Sequence, residues 1–187
     1  LAMIRDGKSP NPDWLAGVRS VISDESLDPA FRALVLGLPS QSDLARALAD
    51  AGDTPDPDII YAAVEATRSA MAKSYDDLVP TLYRRHTVDA DYEPDAAQSG
   101  KRSLANAALS LLTRNDGAKT AQKQYNGADN MTQQLSALAN LIRSGRGKKA
   151  VQAFENQWKN DRLVMDKWFG LQVMEADPED AHEVVQT

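Results

Sequence analysis

The sequence has no cysteine among its 187 residues. Disulfides and thiolate metal sites are therefore excluded, and a reducing compartment suits the chain. Histidine is almost as scarce, with only His86 and His182. Aromatic residues make up 6%. No apolar run approaches the roughly 18 residues that a membrane-spanning helix needs. Positive charge is in deficit: 21 Lys and Arg stand against 27 Asp and Glu, a net charge of −6. A chain of that sign lacks the broad basic face that releases phosphate counterions, so neither a nucleic-acid nor a membrane partner is expected. The opening residues, Leu1-Ala2-Met3-Ile4-Arg5-Asp6, carry no basic stretch followed by an apolar one. No signal peptide is visible, a cytoplasmic location is expected, and the start reads as the interior of a longer chain.

What is present favours helix. Hydrophobic residues make up 42%, and most of them are alanine and leucine, better helix formers than strand formers. Five of the nine prolines, Pro12, Pro29, Pro57, Pro94 and Pro178, follow Asn, Asp or Glu and precede an apolar-periodic stretch. Proline at the first helical position loses no hydrogen bond, and the polar residue before it caps the helix. Helices are expected over 12–23, 29–37, 41–51, 57–74, 76–87, 94–114, 117–127, 131–144, 148–159, 162–174 and 178–186. Pro80 should kink or restart the fifth near Asp76-Asp77. Asn130 and Gln133 have the form of a capping box.

Three apolar faces stand out at spacings of three and four: Ile60, Val64, Thr67 and Met71; Leu104, Ala107, Ala108, Leu111 and Leu112; Leu135, Leu138, Ala139 and Ile142. No long stretch alternates with period two. Gly52 to Asp56 and Gly145-Arg146-Gly147 read as loops, the second inside a basic run, Arg143 to Lys149, taken as solvated. Short links make neighbouring helices antiparallel. The expected fold is all-α: an irregular right-handed superhelical array of antiparallel helix pairs, ARM- or HEAT-like, with a large bundle as the alternative.

Few residues carry chemistry. His182-Glu183-Val184-Val185-Gln186 resembles a zinc-binding helix for four positions, but Gln186 stands where a second imidazole must grip the metal. His86 sits beside Arg84 and Arg85 with no visible nucleophile to activate. The carboxylate pairs Asp24-Glu25, Asp76-Asp77 and Glu179-Asp180 fall at helix starts or on polar faces, where they cap or solvate. Asn130-Met131-Thr132 matches a glycosylation sequon only in form. Phe154 and Trp158, then Trp168 and Phe169, suggest two adjacent helices with facing aromatic ridges. No catalytic, cofactor-binding or metal residue is named.

Four runs are similar to the helical C-terminal region of the bacterial aminopeptidase N family, zinc aminopeptidases of the alanyl type. They are Asp28-Pro29-Ala30 through Leu36-Gly37-Leu38-Pro39-Ser40, Lys101-Arg102-Ser103-Leu104 with Asn106-Ala107-Ala108-Leu109, Ala128-Asp129-Asn130-Met131-Thr132, and Leu163 through Gln172 with its Asp166-Lys167-Trp168-Phe169 core. They occur in the family's order and cover about residues 28–172. The resemblance implies a helical domain, truncated at both ends, that packs on the catalytic domain of the same polypeptide and narrows access of peptide substrates to an internal chamber. It places zinc, the glutamate base and the substrate-recognition strand upstream of this region. No zinc or other cofactor is then expected in this chain, and the isolated chain is expected to be inactive. The alternative is a free-standing helical-repeat scaffold that binds partner proteins. On the fragment reading, an apolar face around Leu163 to Val173 should be exposed or buried in a contact.

Overall fold

Aspartate–proline and asparagine–proline steps set the frame. In a computed structural model, which describes residues 1–179, 182 and 184, the described residues form helices and no strand. They are α1 (Ala2–Asp6), α2 (Pro12–Ser23), α3 (Pro29–Val35), α4 (Gln41–Asp50), α5 (Pro57–Ser74), α6 (Val79–His86), α7 (Ala96–Asp116), α8 (Lys119–Gly127), α9 (Met131–Arg143), α10 (Lys148–Trp158) and α11 (Arg162–Glu175). At α2, α3 and α5 the first helical residue is proline, and the preceding Asn11, Asp28 or Asp56 accepts hydrogen bonds from the backbone N–H groups just inside the helix at 2.7–3.3 Å. Pro94 behaves differently. The helix begins two residues later, and Asp95 is the cap, its carboxylate accepting from Gln98 N at 2.7 Å. Pro80 does not kink a helix: α5 ends at Ser74, a turn follows, and α6 starts at Val79 with the proline in its first turn, where its missing N–H costs nothing. Pro178 lies in a turn, and the helix expected over 178–186 falls largely outside the described residues. The short α1, which periodicity missed, ends on Gly7 in the left-handed region (φ 62°).

The chain divides into two compact units. One holds Leu1–Val88 and Asp95–Leu111, the other Asp89–Pro94 and Leu112–Thr187. In the first unit α2 packs on α3, and α4 and α1 pack on α5. Ile60, Val64, Thr67 and Met71 are buried as the spacing requires, and Ile22, Tyr75 and Val79 are fully covered around them. Leu104, Ala108 and Leu111 of α7 are also buried. Arg32 is 3% exposed, and its guanidinium donates twice to Ile22 O, at 3.1 and 2.7 Å. A cation there satisfies a carbonyl at the end of α2 and complements the negative pole of its dipole.

Tyr75, the residue after α5, is fully buried and donates its hydroxyl to Leu15 O at 2.9 Å. Burial pushes its phenol up to about 12 from 10.0, with the nearby Arg19 guanidinium opposing. The sign follows directly. The unfolded phenol ionises near pH 10 while the folded one resists, so the contribution of Tyr75 to stability is constant below pH 10 and is lost between pH 10 and about 12. Tyr75→Phe should lose about 1 kcal/mol at neutral pH, the net worth of one hydrogen bond, and should flatten that alkaline decline. Urea midpoints from pH 8 to 12 check this; parallel declines in both proteins would refute it.

In the second unit α9 packs against α8, α10 and α11. The face it buries is not the expected one. Gln134, Ala137, Leu138 and Leu141 are buried, whereas Leu135, Ala139 and Ile142 are only half covered. The helix is turned by about one residue, roughly 100°. The reason is polar: Gln134 donates to Gln157 Oε1 at 3.1 Å, and Trp158 Nε1 donates to Gln134 Oε1 at 3.3 Å. A glutamine with its amide satisfied can occupy a core position. The capping box is also altered. Asn130 Oδ1 accepts from Gln133 N at 3.0 Å, but Gln133 Oε1 accepts from Asn130 Nδ2 at 2.9 Å, so the return bond goes to the cap's side chain.

Candidate functional site

The second unit carries an open groove of about 870 Å³ where the end of α9, the start of α10 and α11 meet. Gly145, with φ 69°, ends α9 by turning the chain. Gly147, buried, lets α10 start against Ile142: a Cβ at 147 would lie 2.9 Å from the Ile142 backbone. The basic loop is largely solvated as expected, with Arg146, Lys148 and Lys149 exposed. Arg143, half-buried, pairs with Glu175 across the helices, its Nε 2.9 Å from Oε2. Lys148 remains exposed at the start of α10, which has no side-chain cap.

Trp168 and Phe169 form the aromatic side of the groove. The Trp168 indole donates to Val151 O at 3.0 Å, which fixes α11 on α10, and its ring meets Phe169 edge-on at 4.8 Å. Phe154 and Trp158 meet at a tilt of 42°, with ring centroids 6.2 Å apart, within α10. The expected facing ridges are thus replaced by two pairs, each inside its own helix. Phe154 is fully buried, whereas Phe169 is 55% exposed. The face around Leu163 to Val173 is uncovered as expected, with Leu163 75%, Phe169 55% and Val173 46% exposed.

The groove offers apolar contact and hydrogen bonds but, among the described residues, no paired nucleophile and base. Of the two histidines, His86 lies in the first unit with Nδ1 2.8 Å from Leu82 O, and His182 lies in the second and is exposed. The zinc-like helix at 182–186 falls largely outside the described residues. Among the described residues no group of three or more His, Asp or Glu is placed to hold a metal ion.

Three of the paired carboxylates, those of Asp24, Glu25 and Asp77, have structural partners. Asp24 accepts from Ser26 Oγ at 2.6 Å and Ser26 N at 2.9 Å, and these bonds hold its carboxyl below the usual range. Glu25 pairs with Arg85. Asp77 takes a two-pronged bond from Arg19, at 2.9 and 2.5 Å, which lowers its pKa. Glu179 donates its backbone N–H to Asp177 at 3.2 Å. Asn130 engages its amide with Asp129, Gln133 and the start of α9, where it acts as the cap. No described helix is long and apolar enough to cross a membrane.

Residues 1–187 match the family described as a domain of unknown function with ARM repeats, DUF3458_C. The chain is 31% identical over 167 residues to aminopeptidase N of Caulobacter vibrioides, covering 87% of this chain and 19% of that protein. Aminopeptidase N of Haemophilus influenzae is also 31% identical, over 94% of this chain and 20% of that protein. A crystal structure of Legionella pneumophila aminopeptidase A in complex with aspartic acid superposes with a TM-score of 0.81 at 28% identity, covering 99% of this chain and 23% of that one. The chain thus spans about a fifth of the length of the relatives it matches. It belongs to this ARM-repeat family and is the C-terminal helical domain of an aminopeptidase N-like protein.

Proposed function

We propose that this domain is a non-catalytic wall of a zinc-dependent, cytoplasmic aminopeptidase that removes N-terminal residues from peptides. It packs on the catalytic domain of the same polypeptide and narrows the route to the active site. The zinc and the groups that activate water belong to the rest of that polypeptide. The observation that carries the reading is the match of nearly the whole chain to about a fifth of proteins named aminopeptidase N. The chemistry of this fifth agrees with a supporting role: Asp24, Glu25 and Asp77 are engaged in a turn and in ion pairs, and Phe154, Trp158 and Trp168 in packing.

The expected result is that the isolated chain gives no turnover of alanine p-nitroanilide with zinc in excess. The full polypeptide hydrolyses it and loses activity to a chelator. Zinc-dependent turnover that stays with the isolated chain through purification would overturn the reading. So would a full polypeptide that lacks aminopeptidase activity.

A further inference from the structure

Asn126-Gly127 is the one asparagine–glycine step in the sequence. The other asparagines precede Pro12, Ala107, Asp116, Met131, Leu141, Gln157 and Asp161. The distinction is chemical. An asparagine side-chain amide is open to attack by the backbone nitrogen of the next residue, which closes a succinimide ring. Every residue except glycine sets a Cβ beside that nitrogen and narrows the backbone angles that the approach needs.

The fold puts this step where attack is possible. Asn126 and Gly127 are the last two residues of α8, and both are exposed. A helical backbone holds the Gly127 nitrogen away from the Asn126 amide, so the last turn must open first. That turn is left unclosed. After α2, α5, α9 and α11 the next residue donates its N–H back into the helix. Ala128 instead turns away in an extended conformation, φ −68° and ψ 126°, and makes no such bond among the described residues. Frayed helix ends open at little cost in free energy. Gln122 Nε2 donates to Asn126 Oδ1 at 3.0 Å, which polarises the carbonyl under attack. The fold does not itself require Gly127: a Cβ there meets nothing within 4 Å, and its φ lies outside the left-handed region.

We propose that Asn126 is a site of spontaneous modification in the folded protein, converting to aspartate and isoaspartate through the nitrogen of Gly127. That nitrogen gives up its proton and bonds to Asn126 Cγ. The bond from Cγ to Nδ2 breaks, and ammonia leaves carrying the proton. Water then opens the ring, and no redox partner is needed. Opening between the nitrogen and Cγ gives aspartate. Opening between the nitrogen and the original backbone carbonyl gives isoaspartate, whose main chain runs through Cβ and Cγ and is longer by one carbon. The step lies between two anchors: Tyr125 donates its hydroxyl to Ala150 O at 2.9 Å, and Asn130 caps α9. A longer chain between them, with a carboxylate at the negative end of α8, loosens the junction of α8 and α9.

The full polypeptide, aged for weeks in mildly alkaline buffer, tests this by peptide mass mapping. The peptide that holds Asn126 should gain the mass of an amide-to-acid change ahead of every other asparagine peptide. Part of it should accept methyl groups from S-adenosylmethionine through protein isoaspartate methyltransferase. Gly127→Ala should fold normally and slow the change severalfold. A synthetic peptide of residues 119–131 sets the rate of an open chain. If that peptide converts while Asn126 of the protein keeps its amide, the helix end is closed and the proposal falls. A rate unmoved by Gly127→Ala would take the glycine nitrogen out of the step and overturn it as well. The isoaspartate fraction should melt several degrees below the unaged protein, and an equal Tm would overturn the loosening of α8 and α9.

Discussion

Phe154→Ala should cost the isolated chain about 3–5 kcal/mol, the largest loss expected from any single truncation described above. The ring is fully buried in α10 and packs against Trp158 at 6.2 Å and an interplanar angle of 42°. Its removal takes apolar surface out of the second unit and leaves a void that α9 to α11 can only partly close. Trp158 would also lose the ring that steadies its indole, and with it the bond to Gln134 that allows a glutamine into the core. The control is Phe169→Ala. That ring is 55% exposed, so in the isolated chain it should cost less than about 1 kcal/mol. Urea denaturation of the two variants decides the matter, and equal losses would mean that Phe154 is not the anchor it is taken to be.

Gly147→Ala should destabilise by about 1–3 kcal/mol, the usual cost of overpacking. The position has φ −79°, which any residue adopts, so the requirement is steric. A single methyl group would lie 2.9 Å from the N, Cα and Cγ1 atoms of Ile142. Two of these are backbone and cannot swing aside, so α9 and α10 must separate where they join. Gly17→Ala is the matched control with the opposite sign. It lies inside α2 with nothing within 4 Å of its Cβ, and the change should stabilise by about 0.5–1 kcal/mol through helix propensity. A thermal melt in which both alanines raise Tm would refute the steric account.

The helices were legible because their signals are local. Asn11, Asp28 and Asp56 before proline fix three starts within a few residues of chain, and the stripe from Ile60 to Met71 follows from spacing alone. The rotation of α9 was not legible. It depends on Gln134 finding Gln157 and Trp158 more than twenty residues away, and a hydrophobicity pattern scores a satisfied amide as a surface group. Buried Arg32 escaped for the same reason, since its acceptor is a backbone carbonyl of another helix. Ser40 and Asp43 were a missed local signal. Their reciprocal bonds at the start of α4, Oγ to carboxylate at 2.6 Å and backbone N–H to Oγ at 3.1 Å, have the spacing of a capping motif. The groove was hidden because Arg143 and Glu175, 32 residues apart, carry no shared sequence mark. Its glycine loop was seen, but as a loosening element, whereas Gly147 serves close packing.

In each unit a phenol reaches the main chain of a helix distant in sequence: Tyr75 to Leu15 O in the first, Tyr125 to Ala150 O in the second, both at 2.9 Å. Sliding either pair by one helical turn, about 5.4 Å, would withdraw the acceptor and strand a hydroxyl in an apolar interior, which a protein tolerates poorly. These two tyrosines therefore act as detents against shear. Each bond fixes one register of the chain along the helix that accepts it.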